Sequence, residues 1–282
     1  MKKVRIIIDS TTDLPEKVKE KITVVPLTVR FGEEEYIDGI TMTHEMFYEK
    51  LVKSDVLPTT SQPTPDAFSK VFAQVCENGE KCVVITVSSR LSGTFQSASI
   101  AASEYPDNVY VVDGRSVAIG TGILAELALF MAEDGKSAEE IVSALEKERE
   151  KVCVIAMLDT LEYLKKGGRI SKTVAFAGGI LSIKPVVSIA DGEIFVLGKA
   201  RGTRQGNALL VKEIENAGGI DFDKPLLLGY TGVNDDLIKK YIEDSEALWE
   251  KGTDSLRSVP VGSVVGTHAG PGAFAAAFFK KN

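Results

Sequence analysis

Cysteine, histidine and tryptophan are scarce in this 282-residue chain, which has three, two and one of them respectively. Cys76, Cys82 and Cys153 are odd in number and lack the close pairing of a zinc site or redox dithiol. They read as small buried hydrophobes in a reducing compartment. A surplus of basic charge is also missing: the formal net charge is −7 and the isoelectric point is near 5.1. Displacing counterions from nucleic acid takes a dense cationic patch, so nucleic acid is not an expected partner. No apolar run approaches the roughly 20 residues of a membrane span, and the one at the start of MKKVRIIIDSTTD is too short for a signal peptide. The expectation is a cytoplasmic protein whose membrane contact is at most transient.

Standard catalytic signatures are absent as well. Gly135-Lys136-Ser137 lacks the upstream glycine of a P-loop, and no serine lies in a G-x-S-x-G elbow. Gly120-Thr121-Gly122 sits several residues beyond its strand, too far for a dinucleotide turn. Asp9 and Asp13 flank Ser10-Thr11-Thr12 instead of forming a close carboxylate pair, which favours a structural turn over a metal site. No cofactor and no metal are expected.

What is present is an ordinary globular composition, 44% hydrophobic and 26% charged, in a chain long enough for two α/β domains in contact. Val4 to Ile8 and Cys82 to Val87 are apolar runs typical of buried parallel strands, and Ile22 to Val29 reads as a further strand. Helices are predicted from Thr43 to about Ser54, from a Thr64 cap with Pro65 at the first position, through Ala101, over 117–133, and over 138–151 behind a Ser137/Glu140 capping box. Strands alternating with helices imply a mainly parallel sheet. After Glu150 the pattern changes to strand Val152 to Met157, two short helices around Gly167-Gly168, and two strands joined by the hairpin signal Asp191-Gly192. The boundary is therefore placed near 150, with a parallel-sheet domain over 1–150 and a mixed-sheet domain over 151–282. The C-terminal stretch reads as a strand at Val264-Val265, a Gly/Pro turn holding His268, and an apolar helix.

In a parallel α/β sheet, ligands gather beyond the carboxyl ends of the strands. Those positions are rich in hydroxyls: Ser10-Thr11-Thr12, Thr59-Thr60-Ser61, and Ser88-Ser89 with Ser92-Gly93. Ser10, Thr64 and Ser88 read as helix caps. The set as a whole suggests a neutral, desolvated anion pocket built from hydroxyls and helix N-termini. Of the two histidines, His268, flanked by glycines, is the functional candidate, and His44 belongs to an ordinary amphipathic helix.

Six motifs then occur in order: D-S-T-T-D-L-P at 9–15, T-S-Q-P-T-P at 60–65, S-S-R-L-S-G-T-F-Q-S-A at 88–98, L-E-Y-L-K-K-G-G-R-I-S at 161–171, I-K-P at 183–185 and T-H-A-G-P-G at 267–272. Together they resemble the DegV family along nearly the whole chain. The resemblance implies a two-domain α/β protein without catalytic residues of its own. It would hold a long-chain fatty acid between its domains and offer the carboxyl group to a separate ATP-using kinase subunit, which makes an acyl phosphate for phospholipid synthesis. By motif, Thr60, Ser61, Ser92 and Gly93 would hold the carboxyl group with His268 close by, and Arg169 and Arg201 would face the partner. The alternatives are a serine-dependent acyl hydrolase using Ser92 or Ser61 with His268 as base, and a carrier of another small anion.

Overall fold

A computed structural model of the chain describes residues 3–170, 183–250 and 252–281. In the first half, β1 (Val4–Asp9) and the one-turn α1 (Glu16–Lys19) lead to β2 (Thr23–Val25), β3 (Thr28–Phe31), β4 (Glu34–Ile37), α2 (His44–Lys53) and β5 (Thr59–Ser61). These are followed by α3 (Pro65–Glu77), β6 (Lys81–Thr86), α4 (Thr94–Ala102), β7 (Val109–Asp113), α5 (Ile119–Glu133) and α6 (Ala138–Glu148). The parallel sheet has the order β2-β1-β6-β7. Ile6 to Ile8 and Cys82 to Ile85 are almost wholly buried, as continuous apolar strands covered on both faces should be. Thr64 caps α3 by accepting from the Ala67 amide, and the Ser137/Glu140 capping box opens α6.

The strand expected over Ile22 to Val29 is in fact two. Pro26 cannot donate to a ladder, so β2 ends before it beside β1. The chain resumes as β3 in a separate antiparallel sheet of order β4-β3-β5.

The second half runs β8 (Val152–Met157), α7 (Glu162–Lys166), β9 (Ile183–Ala190), β10 (Glu193–Arg201), α8 (Gly202–Asn216), β11 (Leu227–Tyr230), α9 (Asp236–Asp244), β12 (Ser258–Pro260), α10 (Ser263–Ala269) and β13 (Phe274–Phe279). The short helix expected after Arg169 lies outside the described residues. The sheet order β10-β9-β8-β13-β11-β12 is antiparallel except for the final β11–β12 pair. Asp191 and Gly192 both take positive φ, 48° and 78°, as a tight hairpin turn requires.

The C-terminal expectation is reversed in order: Val264-Val265 and His268 belong to helix α10, and the apolar run after the Gly/Pro turn is strand β13. Phe274 to Phe279 is only six residues long and lies between β8 and β11, so its uniform apolarity marks a doubly covered central strand.

Helix α5 joins the halves. It is buried from Ile119 through Glu126, and its apolar surface shares one core with β1 and β6 on one side and with Val154, Leu227, Ala277 and Phe279 on the other. At the edge, the β9–β10 tip docks on the loop after β6, where the Ser88 hydroxyl donates to the Gly192 carbonyl (2.7 Å) and Arg90 pairs with Glu193 (3.1 Å).

Candidate functional site

Between the two large sheets lies an apolar cavity of about 130 Å³. Val154 and Ala156 on β8, with Leu158 just beyond, share one face through the two-residue strand period; Val187 and Ile189 of β9 continue that wall. Val117, Ala118 and Ile119 at the start of α5 form the opposite wall. Ala118 holds a positive φ of 55°, uncommon for a residue with a side chain, and is pinned there: its N–H donates to Thr11 O and its carbonyl accepts from the Asp13 amide.

Four polar lining side chains, Thr60, Ser92, Arg169 and His268, gather in one cluster, while Thr11 and Thr231 line the cavity elsewhere. Alternation along β5 turns Thr60 inward and leaves Ser61 exposed, so of these two expected neighbours Ser61 does not reach the cavity. Thr60 Oγ1 lies 3.0 Å from His268 Nε2. His268 occupies the last turn of α10, and its Nδ1 is buried with no hydrogen-bond partner among the described residues. Gly167 makes this packing possible, because a Cβ there would stand 2.1 Å from that nitrogen. Burial, helped by the positive charge of Arg169, lowers the His268 pKa to about 4. The ring is neutral at pH 7 and acts as a hydrogen-bonding group, not as a cation.

Arg169 was expected to reach outward and instead bends in. Its Nε donates to Leu91 O (3.1 Å) and its Nη1 to Gly167 O (2.6 Å), linking the turn after α7 to the loop that carries Ser92. Arg201 is exposed at the end of β10 and lines no part of the cavity. Ser92 shares a 2.9 Å hydrogen bond with Thr94 Oγ1. Gly93 does not line the cavity. It is the N-cap residue of α4, and a Cβ there would meet Gln62 Oε1 at 2.2 Å. Gln62, not singled out in the sequence, donates to Gly93 O and Ser97 Oγ and so ties β5 to the Ser92 loop. The capping readings for Ser10 and Ser88 are corrected. Ser10 Oγ accepts from the Leu27 amide, and Ser88 Oγ is engaged by the hairpin tip and the Arg90 amide. Both ring nitrogens of His44 lie against backbone carbonyls, of Val261 and Gly232.

A second, wider and more polar recess of about 720 Å³ lies beside Asp13 and Asp38. Among the described residues no group of three or more His, Cys, Asp or Glu could hold a metal ion, and no helix is long and apolar enough to cross a membrane.

Residues 3–281 match the model of the DegV family of uncharacterised proteins. A DegV domain-containing protein of Caldanaerobacter subterraneus is 35% identical, with all of both chains covered. The chain belongs to the DegV family. Among solved DegV structures, a fatty-acid-binding member from Thermus thermophilus superposes with a TM-score of 0.88 at 30% identity, covering 99% of this chain and 100% of that one. A stearic-acid-binding protein from Eubacterium ventriosum gives 0.84 at 29% identity, with 99% of each chain covered. In this chain, Thr60 and Gln62 come from the second DegV-like motif, Ser92 from the third, Gly167 and Arg169 from the fourth and His268 from the sixth. Separated by up to 208 residues, Thr60 and His268 meet in the polar cluster of one cavity.

Proposed function

We propose that this DegV protein binds one long-chain fatty acid, with the acyl chain in the apolar cavity and the carboxyl group among Thr60, Ser92, Arg169 and His268. In this reading, residues 1–150 form the domain that supplies the hydroxyl-bearing loops and residues 151–282 the domain that covers the chain. The observation that carries the proposal is a mostly aliphatic cavity in which Thr60, Ser92, Arg169 and His268 are grouped, while the hydroxyls of the other two polar lining residues, Thr11 and Thr231, are already engaged by Asp9 and by the Ala273 backbone. Burying a methylene yields about 0.8 kcal/mol, so the tail supplies most of the affinity and the head-group contacts can remain few. The same walls disfavour a small phosphorylated anion. A hydrolase is disfavoured by geometry: His268 Nε2 meets Thr60, not Ser92, and no acceptor stands at Nδ1 among the described residues to orient the ring.

The carboxyl group would then be presented to a separate ATP-dependent kinase subunit that converts it to an acyl phosphate, with the exposed Arg201 helping to dock that partner. Mass spectrometry of the protein extracted under denaturing conditions should find about one equivalent of a long-chain fatty acid; a phosphorylated metabolite in its place would sink the reading. With a cognate kinase, Arg201→Ala should keep its lipid and slow acyl phosphate formation. An unchanged rate would remove Arg201 from the docking face.

Thr60→Val and Ser92→Ala should each weaken fatty acid binding by only about 0.5–1.5 kcal/mol, the worth of one hydrogen bond. Displacement titration with a fluorescent fatty acid measures this. Complete loss of binding in a folded variant would show that the head group, not the tail, dominates.

A further inference from the structure

Away from the polar cluster, a second group of lining residues is packed around a strand glycine. His268 lies in the last turn of α10, whereas Val261 precedes its N-cap residue Gly262; the two positions are seven residues apart, roughly 10 Å along the helix axis. Gly229 lies at the Val261 end, on β11, two strands from β8 and so roughly 10 Å across the sheet from Ala156. Ile119, at the start of α5, packs over it. All three line the cavity.

A glycine inside a strand gives up packing and conformational stability, and it marks either special backbone geometry or a close approach. The backbone does not require one here, because Gly229 is not among the glycines with positive φ. Space does. A Cβ at this position would stand 3.0 Å from Ile119 Cγ2 and 3.2 Å from Val261 Cγ2, closer than either side chain could tolerate without moving. Behind Gly229 is the sheet; in front of Ile119 and Val261 is the cavity.

We propose that Gly229, through Ile119 and Val261, sets the longest acyl chain this protein accepts. Without a Cβ, the two side chains sit back against the sheet and leave the end of the cavity open. A methyl group at 229 moves them forward into the space of the terminal methylenes. The inference rests on the fatty acid reading and adds a length limit to it.

The test compares wild type, Gly229→Ala and Ile119→Val, each stripped of lipid, by titration with saturated fatty acids of increasing length. For Gly229→Ala, the longest acids should lose affinity about fourfold for each methylene that no longer fits, while shorter acids bind as before. Ile119→Val removes a methyl from the same end and should move the preference toward longer acids; it decides the matter alone if Gly229→Ala fails to fold. Unchanged length profiles in the folded variants, or a uniform loss at every length, would overturn the assignment while leaving fatty acid binding intact. A wild-type protein that binds no fatty acid at any length would overturn both.

Discussion

Replacing Arg257 with Met is expected to destabilise the protein by about 3 kcal/mol, measurable as a lower midpoint of urea unfolding. Glu126 projects from α5 and is 3% exposed, and both of its carboxylate oxygens accept from Arg257, at 2.6 and 2.8 Å. Removing one member of a buried ion pair leaves the other desolvated and uncompensated, which typically costs about 3–5 kcal/mol. The lower end applies because the Arg257 side chain is 40% exposed, so water can partly replace it. The hydrogen bonds to Glu126, reinforced by its charge, raise the Arg257 pKa further and keep the guanidinium charged throughout the accessible range. A double variant, Glu126→Leu with Arg257→Met, removes both charges and should recover most of the loss. If the single change cost under about 1 kcal/mol, the pair would be behaving like a surface ion pair. The effect reaches the cavity, because α5 begins with its wall residue Ile119 and Arg257 leads directly into β12 and Val261. Lipid retention should fall along with stability.

The parts of this fold readable in the sequence are those fixed by local chemistry. Val4 to Ile8 and Cys82 to Val87 could only be buried strands, Thr64-Pro65 and Ser137/Glu140 announce helix starts, and Asp191-Gly192 imposes a hairpin. The errors arise where tertiary position decides. Pro26 stops a ladder, but that the chain then enters another sheet depends on partners β4 and β5. Phe274 to Phe279 has no periodicity that separates a buried helix from a central strand, and its place between β8 and β11 settles it. The site was legible as a set of motifs but not in its geometry. Which of Thr60 and Ser61 faces inward depends on the register of β5 against β3, and the inward bend of Arg169 depends on the Leu91 carbonyl, 78 residues away. The cavity walls come from scattered aliphatic residues on α5, β8, β9 and α10 that look like any other core. Asp13 was read as part of a structural turn, and its partner at the N-terminus of α10, Asp38, carried no signal in the sequence at all.

That carboxyl pair supports a pH prediction. Asp13 Oδ1 accepts from the Gly262 amide (2.9 Å), and Asp38 Oδ1 accepts from the amide and hydroxyl of Ser263 (3.2 and 2.5 Å), so both hold the start of α10, the helix that carries His268. Both are buried, neither has an ion-pair partner among the described residues, and Asp13 Oδ2 has no hydrogen-bond partner there. Burial, with the nearby Asp38 charge adding to it and the Gly262 amide and Lys19 opposing it, pushes the Asp13 pKa up to about 8. Burial raises Asp38 and Asp9 as well. Between the ordinary aspartate range near 4 and about 8, the folded protein therefore holds a proton on Asp13 that the unfolded chain releases. Stability falls as pH rises across that window, by at most about 1.4 kcal/mol per pH unit for one proton. His268, lowered to about 4, works in the opposite direction between about 4 and 6.5, where the unfolded chain binds the extra proton. Above pH 6.5 the histidine no longer contributes, so pH 6.5 to 8 is the interval to compare. Asp13→Asn keeps an oxygen for the Gly262 amide and cannot ionise, so its unfolding free energy should decline less over this interval and exceed that of wild type at pH 8. Urea unfolding of both proteins at half-unit steps of pH measures this. Parallel slopes would mean that Asp13 is already ionised in the folded protein over this interval and would overturn the prediction.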